Sequence, residues 1–329
     1  MDNPPLRWGL LGTARINRMV IPPLRSSAGN RLLAVASRDL ARAKSYAKEW
    51  GIERALGSYE ALLAAPEIDA VYIPLPNHLH AEWTIRAARA GKHVLCEKPL
   101  ALTVAEVDAM GAAARESGVV LAEAFMYRHH PQTLKAKELV DSGAIGAVRF
   151  VRGTFSFPLT RANDVRLRPE WGGGCLWDVG CYPLSFVRMI LNSEPEEVFG
   201  WQTTAPSGID DLFVAQARFP GNVYAQFDSS FRLPHQAYME IIGDTGSIFV
   251  PTPFIPQKAE KIRFSRSDGF QVTLRMPGAE LYIGEVEDMA DAILLNKAPL
   301  ISLADSRGNV ATISALYESA RIGKPVLLK

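Results

Sequence analysis

Up to about residue 125 the chain repeats one rhythm, a short apolar run followed by a stretch with helical spacing. That rhythm predicts parallel βαβ units. Arg7 to Leu11, Arg31 to Ser37, Asp69 to Ile73, His93 to Cys96 and Val119 to Ala122 read as the strands. The helices between them carry end signals. Asp39 suits the N-cap of the helix opening DLARAK, and Gly51 its end. Gly91 closes AEWTIRAARA. Thr103 and Glu106 form a capping box, and Gly118 ends the helix it opens. The expected fold class is therefore α/β, built on a doubly wound parallel sheet. Such sheets bind ligands outside the carboxyl ends of their strands, which predicts Gly12, Ser37, Pro74, Glu97 and Lys98 on one rim.

With 329 residues the chain is too long for one ordinary core, and after about Ala124 the rhythm changes. One helix is expected from Pro131 to Ser142. The runs AVRFVRGTFSF, DLFVAQARF, VYAQFDSSF, AYMEIIG and SIFV then read as strands. Hairpins at Pro220-Gly221-Asn222 and Gly243-Asp244-Thr245-Gly246 imply an antiparallel sheet, and a helix-rich end follows. Two domains are expected, an α/β domain over residues 1–125 and an α+β domain over residues 126–329. The last helices are candidates to pack back on the first domain.

The totals exclude several classes. Hydrophobic residues are 48% and charged residues 22%, the balance of a soluble globular protein. A formal net charge of +1 provides no bulk pull towards nucleic acid or anionic membrane. No apolar run reaches the ~18 residues of a membrane span. The opening MDNPPLRWGLLG, with Asp2 and two prolines, does not read as a signal peptide. Cys96, Cys175 and Cys181 cannot all pair and lack metal-ligand spacing, which predicts free thiols in a reducing cytoplasm.

The segment GLLGTARINR follows the first strand and opens the first helix, the setting of a dinucleotide fingerprint. The match is degenerate: Gly12 holds the first glycine position, but Ala14 and Asn17 hold the other two. The helix start still offers N–H groups and a positive dipole end to a pyrophosphate. Gly12, Thr13, Ala14, Arg15 and Ile16 are thus candidate cofactor contacts, although an ordinary βα turn fits this loop equally well. The second strand favours the cofactor reading. Its end, Ser37-Arg38, has a hydroxyl and a guanidinium where a free ribose 2′-OH usually meets a carboxylate. That pair suits a 2′-phosphate and predicts NADP over NAD. Asp39 follows directly and is assigned to helix capping.

Three further stretches carry candidate chemistry. HVLCEKPLAL ends a strand on Glu97, Lys98 and Pro99, more charge than a turn needs. PLPNHLH places Leu75, Asn77 and His80 after another strand, as structural groups or cofactor contacts. Neither His78 with His80 nor the adjacent His129 and His130 has supporting ligands nearby, so no metal is expected. RLRPEWGGGCLWDVGCYPLSF contains three glycines that would let backbone approach a flat ligand. Helical spacing there sets Asp178 and Tyr182 on one face. By themselves these two read as a helix cap and a packed ring. With Lys98 they read as a mechanism. A Tyr pKa of ~10 lies about three units above neutrality, or ~4 kcal/mol, within reach of a nearby ammonium. The phenolate can then take an alcohol proton.

GLLGTARINRMVIPPL, ASRDLARAK, PLPNHLHAEWTIRAARAGKHVLCEKPLAL, EAFMYRHHPQ and GGGCLWDVGCYP, with the C-terminal ALYESARIGKPV, resemble the Gfo/Idh/MocA family of oxidoreductases along nearly the whole chain. The resemblance implies a Rossmann domain followed by an α/β domain on an open, mostly antiparallel sheet whose exposed face makes a homodimer or homotetramer. It implies that Lys98 touches substrate and nicotinamide ribose, with the Lys98-Pro99 bond cis, and that Asp178 belongs to the family's D-x-G-x-H/Y motif. Tyr182 stands where inositol dehydrogenases carry histidine, as in the branch of glucose–fructose oxidoreductase, xylose dehydrogenase and dihydrodiol dehydrogenase. Arg166 and Trp171 fall where the family often contacts cofactor or substrate, and Glu97 is expected to contact the cofactor or to fix the lysine. The expectation is an NADP-dependent oxidoreductase acting on an aldose or a related cyclic polyol or ketosugar, with Tyr182 as acid/base, Lys98 tuning it and Asp178 in support. The carbohydrate is the only partner expected beyond a second copy of the chain, with no nucleic acid and no membrane. A trans-dihydrodiol dehydrogenase, a ketosugar reductase and a non-catalytic NADP-binding sensor are the alternatives.

Overall fold

The structure, a computed structural model, describes residues 4–257 and 260–328. Asp2, used in the signal-peptide reading, lies outside the described residues. The chain divides into two compact units. One comprises the residues up to Met126 together with Tyr282–Arg307; the other comprises Tyr127–Leu281 and the residues from Gly308 on. No helix among the described residues is long and apolar enough to cross a membrane.

The first unit is built on six parallel strands: β1 (Leu6–Leu11), β2 (Asn30–Ala36), β3 (Arg54–Leu56), β4 (Ala70–Ile73), β5 (His93–Glu97) and β6 (Leu121–Ala124). Their spatial order is β3-β2-β1-β4-β5-β6, so strand order reverses between β1 and β4. That reversal is the switch point at which doubly wound sheets take ligands. Trp8 of β1 and Tyr72 of β4 are fully buried, as befits strands covered on both faces. Helices α1 (Asn17–Ser26), α2 (Leu40–Trp50), α3 (Tyr59–Leu63), α4 (His80–Arg89) and α5 (Val104–Glu116) connect the strands. The caps form as their residue types predict: Asp39 accepts from the N–H groups of Ala41 and Arg42, Gly51 is left-handed, and Thr103 with Glu106 closes a capping box.

The second unit opens with α6 (Pro131–Asp141) and carries a nine-stranded sheet. The strands are β7 (Val148–Ser156), β8 (Glu197–Thr204), β9 (Asp210–Phe219), β10 (Val223–Ser230), β11 (Gln236–Gly243), β12 (Gly246–Val250), β13 (Lys261–Arg266), β14 (Gln271–Arg275) and β15 (Val326–Leu327). The sheet is mostly antiparallel, as expected, with one exception. β7 sits between β11, which is antiparallel to it, and β10, which is parallel from Tyr224↔Phe150 to Ser230↔Ser156. α7 (Cys181–Leu191) packs against β7. Val151 and Phe155 of β7 are buried, while Arg149 and Arg152 are exposed. α8 (Ile283–Leu294) belongs to the first unit. α9 (Leu303–Ile322) begins in the first unit and ends in the second.

Candidate active site

The loop after β1 fits a dinucleotide. Gly12 has φ +119°, and a Cβ there would lie 3.3 Å from Leu75 Cδ2 and 3.6 Å from the Tyr59 hydroxyl. A side chain is excluded by conformation as well as by space. Asn17, in the third glycine position, is fully buried and its amide donates to the Gly12 carbonyl at 2.9 Å. The irregular fingerprint therefore replaces a missing glycine with a bond that holds the loop. Thr13, Ala14 and Ile16 are half-buried, and Arg15 is exposed.

The Asp39 carboxylate is folded back on the α2 N–H groups, at 2.8 Å from Ala41 N. Ser37 is buried and its hydroxyl accepts from Asp39 N at 3.3 Å, while Arg38 is exposed. Arg42, one turn into α2, donates through Nε to Thr13 Oγ1 at 2.7 Å. The sequence reading missed Arg42. Its position five residues after Ser37 on a helix that starts at this rim was the available signal. Ser37, Arg38, Arg42 and Thr13 thus present hydroxyls and guanidiniums around one corner, a donor set that fits a phosphate.

Side chains hold the turn after β5 at the Glu97–Lys98 and Pro99–Leu100 peptides. The Tyr72 hydroxyl donates to Glu97 Oε1, and the Lys98 N–H donates to Glu97 Oε2 at 3.2 Å. The Lys98–Pro99 bond is cis. The Leu100 N–H donates to Oε1 of the buried Glu123 at 2.9 Å. His80 is fully buried, with Nδ1 2.8 Å from the Pro99 carbonyl oxygen and Nε2 2.7 Å from that of Leu75. Of the two roles expected for His80, structural group or cofactor contact, these contacts bear on the structural one. A neutral ring donates its one N–H to one of these two carbonyl oxygens, and from this position His80 sits between the loop after β4 and the turn that carries Lys98. Burial pushes the His80 pKa below the usual histidine range, and the positive charges of Lys98 and His78 add to that. Leu75 is buried beside Gly12, and Asn77 is half-buried at the head of α4.

A second group missed by the sequence reading lies behind Glu97. Glu285 of α8 is almost fully buried, and neither carboxyl oxygen has a partner among the described residues. Burial, and then the charge of Glu97, raises its pKa well above the carboxylate range. An apolar setting and a like charge both favour the neutral acid.

In the second unit, Asp178 accepts from Arg166 Nε at 2.6 Å, and Arg166 Nη1 reaches Asp164 at 3.3 Å. Asp178, above all, raises the Arg166 pKa beyond its already high value. The carboxylate is thereby oriented and charge-compensated. Regular helical spacing is not what carries it. Leu176–Gly180 form a π-helical turn, and Tyr182 stands in the first turn of α7 after it. A Cβ on Gly173 would lie 2.4 Å from the Arg166 carbonyl oxygen, and one on Gly174 would lie 2.0 Å from Asp210 Oδ1. At these two positions the glycines permit close approach of the chain to itself. The Tyr182 ring is buried among Tyr127, Phe155 and Phe254, with centroids 5.6, 5.4 and 5.5 Å away. Trp171 is partly exposed before the glycines.

Residues 6–125 match the Gfo/Idh/MocA profile described as "Oxidoreductase family, NAD-binding Rossmann fold", and residues 133–249 match the Gfo/Idh/MocA C-terminal domain. Over 328 residues the chain is 41% identical to D-xylose 1-dehydrogenase (NADP(+)) 2 of Haloferax volcanii, covering 98% of this chain and 100% of that one. It superposes with TM-score 0.92 on an aldose–aldose oxidoreductase from Caulobacter crescentus complexed with glycerol, at 29% identity, covering 98% of this chain and all of the other. It superposes with TM-score 0.90 on a 3-ketoreductase from Actinomadura kijaniata in complex with NADP and TDP-benzene, at 32% identity, covering 96% and 98% of the two chains. Structures of that ketoreductase include a tyrosine-to-phenylalanine and a lysine-to-alanine mutant, altered the same number of positions apart as Lys98 and Tyr182 are here.

The lowered His80 pKa sets a sign for stability. Between that value and the ~6.5 of an unperturbed histidine, the unfolded chain binds more protons, so stability falls as pH drops through this window. His80→Gln keeps amide N–H donors and removes the titration. Urea unfolding of the variant is expected to lose less stability than the wild type between pH 7.5 and 5.5; equal losses would contradict the assignment.

Proposed function

The chain belongs to the Gfo/Idh/MocA family of oxidoreductases, and we propose that it is an NADP-dependent enzyme acting at a carbon–hydroxyl centre of an aldose or related cyclic sugar. The observation that carries this reading is the side-chain-anchored Lys98 turn at the carboxyl end of β5, in a chain whose buried Tyr182 lies four positions after the Arg166-bound Asp178. The matched spacing of the lysine and tyrosine altered in the 3-ketoreductase supports pairing Lys98 with Tyr182. The likeness to a xylose dehydrogenase and to an aldose–aldose oxidoreductase supports an aldose.

Gly12, Thr13, Ala14, Arg15 and Ile16 would hold the pyrophosphate, and Ser37, Arg38 and Arg42 the 2′-phosphate. Leu75, Asn77, Glu97 and Lys98 line the route to the nicotinamide end. NADP⁺, when bound, accepts hydride from the substrate carbon. The residues of the chain handle the proton. Apolar walls around Tyr182 disfavour a phenolate, so a cation must offset them. Lys98 supplies that charge, and the phenolate oxygen of Tyr182 takes the substrate hydroxyl proton. Asp178, held by Arg166, accepts from a neighbouring sugar hydroxyl and fixes the substrate's orientation. Run in reverse, the phenol returns the proton to a carbonyl oxygen, which suits a ketosugar reductase and accords with the likeness to the 3-ketoreductase.

Two outcomes follow. Tyr182→Phe should lower kcat by ~10²–10⁴-fold and leave the Kd for NADPH unchanged; wild-type turnover in steady-state assays would sink the acid/base role. Arg38→Ala and Arg42→Ala each remove a charge-assisted bond of about 1.5–3 kcal/mol, or roughly tenfold or more in affinity. Fluorescence titration should show that loss for NADPH and little change for NADH. A parallel loss for both cofactors would refute the 2′-phosphate contact.

A further inference from the structure

Asp210, the first residue of β9, is buried at 4% exposure and has no part in the chemistry above. Its Oδ2 accepts from the Leu176 N–H at 2.7 Å, and its Oδ1 accepts from the Tyr317 hydroxyl of α9 at 2.8 Å. The Cys175 thiol lies 3.1 Å from Oδ2 and 3.2 Å from the Ser229 carbonyl oxygen of β10, one proton between two acceptors. Burial raises the Asp210 pKa, and these donors oppose that rise. The negative charge of Asp210, after burial, raises the Tyr317 pKa well above the usual phenol range.

Leu176 begins the π-helical turn, so its N–H has no acceptor one turn earlier. Asp210 supplies the acceptor from a different strand, doing from outside what an N-cap side chain does from within. The fit is close enough to dictate sequence: any side chain at position 174 would strike the Asp210 carboxylate, and Gly174 has φ +125°. Gly174 in turn accepts from the Asp178 N–H at 3.1 Å. Asp210 therefore packs against Gly174 to Leu176, where the segment that delivers Asp178 begins, and Tyr182 follows one turn after Asp178.

We propose that Asp210 is a positioning residue for this enzyme, fixing the π-helical turn so that Asp178 and Tyr182 are presented together. This inference rests on the assignment of Tyr182 as acid/base. It makes Tyr317 and Cys175 parts of the same brace rather than isolated buried polar groups. It also accounts for the third glycine of the Gly172–Gly174 run in terms of catalysis: the glycine makes room for the carboxylate that sets the turn.

The test uses the full-length protein. Asp210→Asn keeps the volume but offers a single acceptor, so the Leu176 N–H or the Tyr317 hydroxyl then faces an NH₂ group. We expect kcat per folded enzyme to fall at least about tenfold, the pH dependence of kcat to move, and the Kd for NADPH to stay at the wild-type value. Tyr317→Phe removes one bond and keeps the cap on Leu176, so its loss of kcat should be smaller. A lower Tm with wild-type kcat and pH profile in Asp210→Asn would reduce Asp210 to a structural brace and overturn the proposal. If Asp210→Asn does not fold, Tyr317→Phe decides in the same way: reduced kcat at unchanged NADPH affinity supports the role, and a lower Tm alone overturns it. Tyr182→Phe is assayed alongside. Full turnover there defeats the acid/base assignment, whatever Asp210 does; an inactive Tyr182→Phe beside a fully active Asp210→Asn defeats only the positioning role.

Discussion

The turn that follows β5 is the constraint on which the first unit's function depends. A parallel strand must leave its sheet at the carboxyl edge, and there the backbone loses its ladder partners. In this chain two peptides of that exit have side-chain partners: Glu97 of the strand itself accepts from the Lys98 N–H, and the Pro99–Leu100 peptide meets His80 at its carbonyl and Glu123 at its N–H. Buried backbone groups that lack a partner are costly, so these contacts leave the turn few alternatives. Lys98 starts from a fixed backbone, and a flexible four-carbon side chain gains precision from that.

The second unit solves a similar problem by different means. Asp178 is a carboxylate with only 14% of its side chain exposed, and it is tolerable there because Arg166 is bound to it. The backbone that carries Asp178 is itself set by Asp210 through the Leu176 N–H. The Tyr182 ring is buried against the rings of Phe155 on β7 and of Phe254. A phenol buried among rings is a poor base unless a cation compensates, which is the part the proposed mechanism gives to Lys98.

Much of this was legible in the sequence, for identifiable reasons. The alternation of apolar runs with capped helices specified the parallel sheet, because Asp39, Gly51, Thr103 and Glu106 act locally and their signals do not depend on tertiary context. Lys98 stood out because a charged pair closes an apolar strand. What remained hidden was set by distant partners. β8, β13 and β14 carry polar or glycine-broken alternation, as in KIRFSR and QVTLR, and become strands only by pairing with neighbours. The π-helical turn could not be foreseen, because Asp210 imposes it from 34 positions away. His80 read as a structural group or a cofactor contact from its loop, and the two carbonyl oxygens beside its ring are visible only once β4 and β5 lie side by side. The parallel pairing of β7 with β10 was masked by the hairpins around it.

The central claim is that the Lys98 charge brings the Tyr182 phenol into the range of a neutral-pH base. The direct test is the pH dependence of kcat/KM for aldose oxidation by Lys98→Met beside the wild type. Oxidation needs the phenolate, so activity rises with pH through the tyrosine's ionisation. Loss of a nearby cation should move that acid limb upwards by about one to three pH units. A limb that stays in place while only its height falls would contradict the account and leave Lys98 as a substrate contact alone.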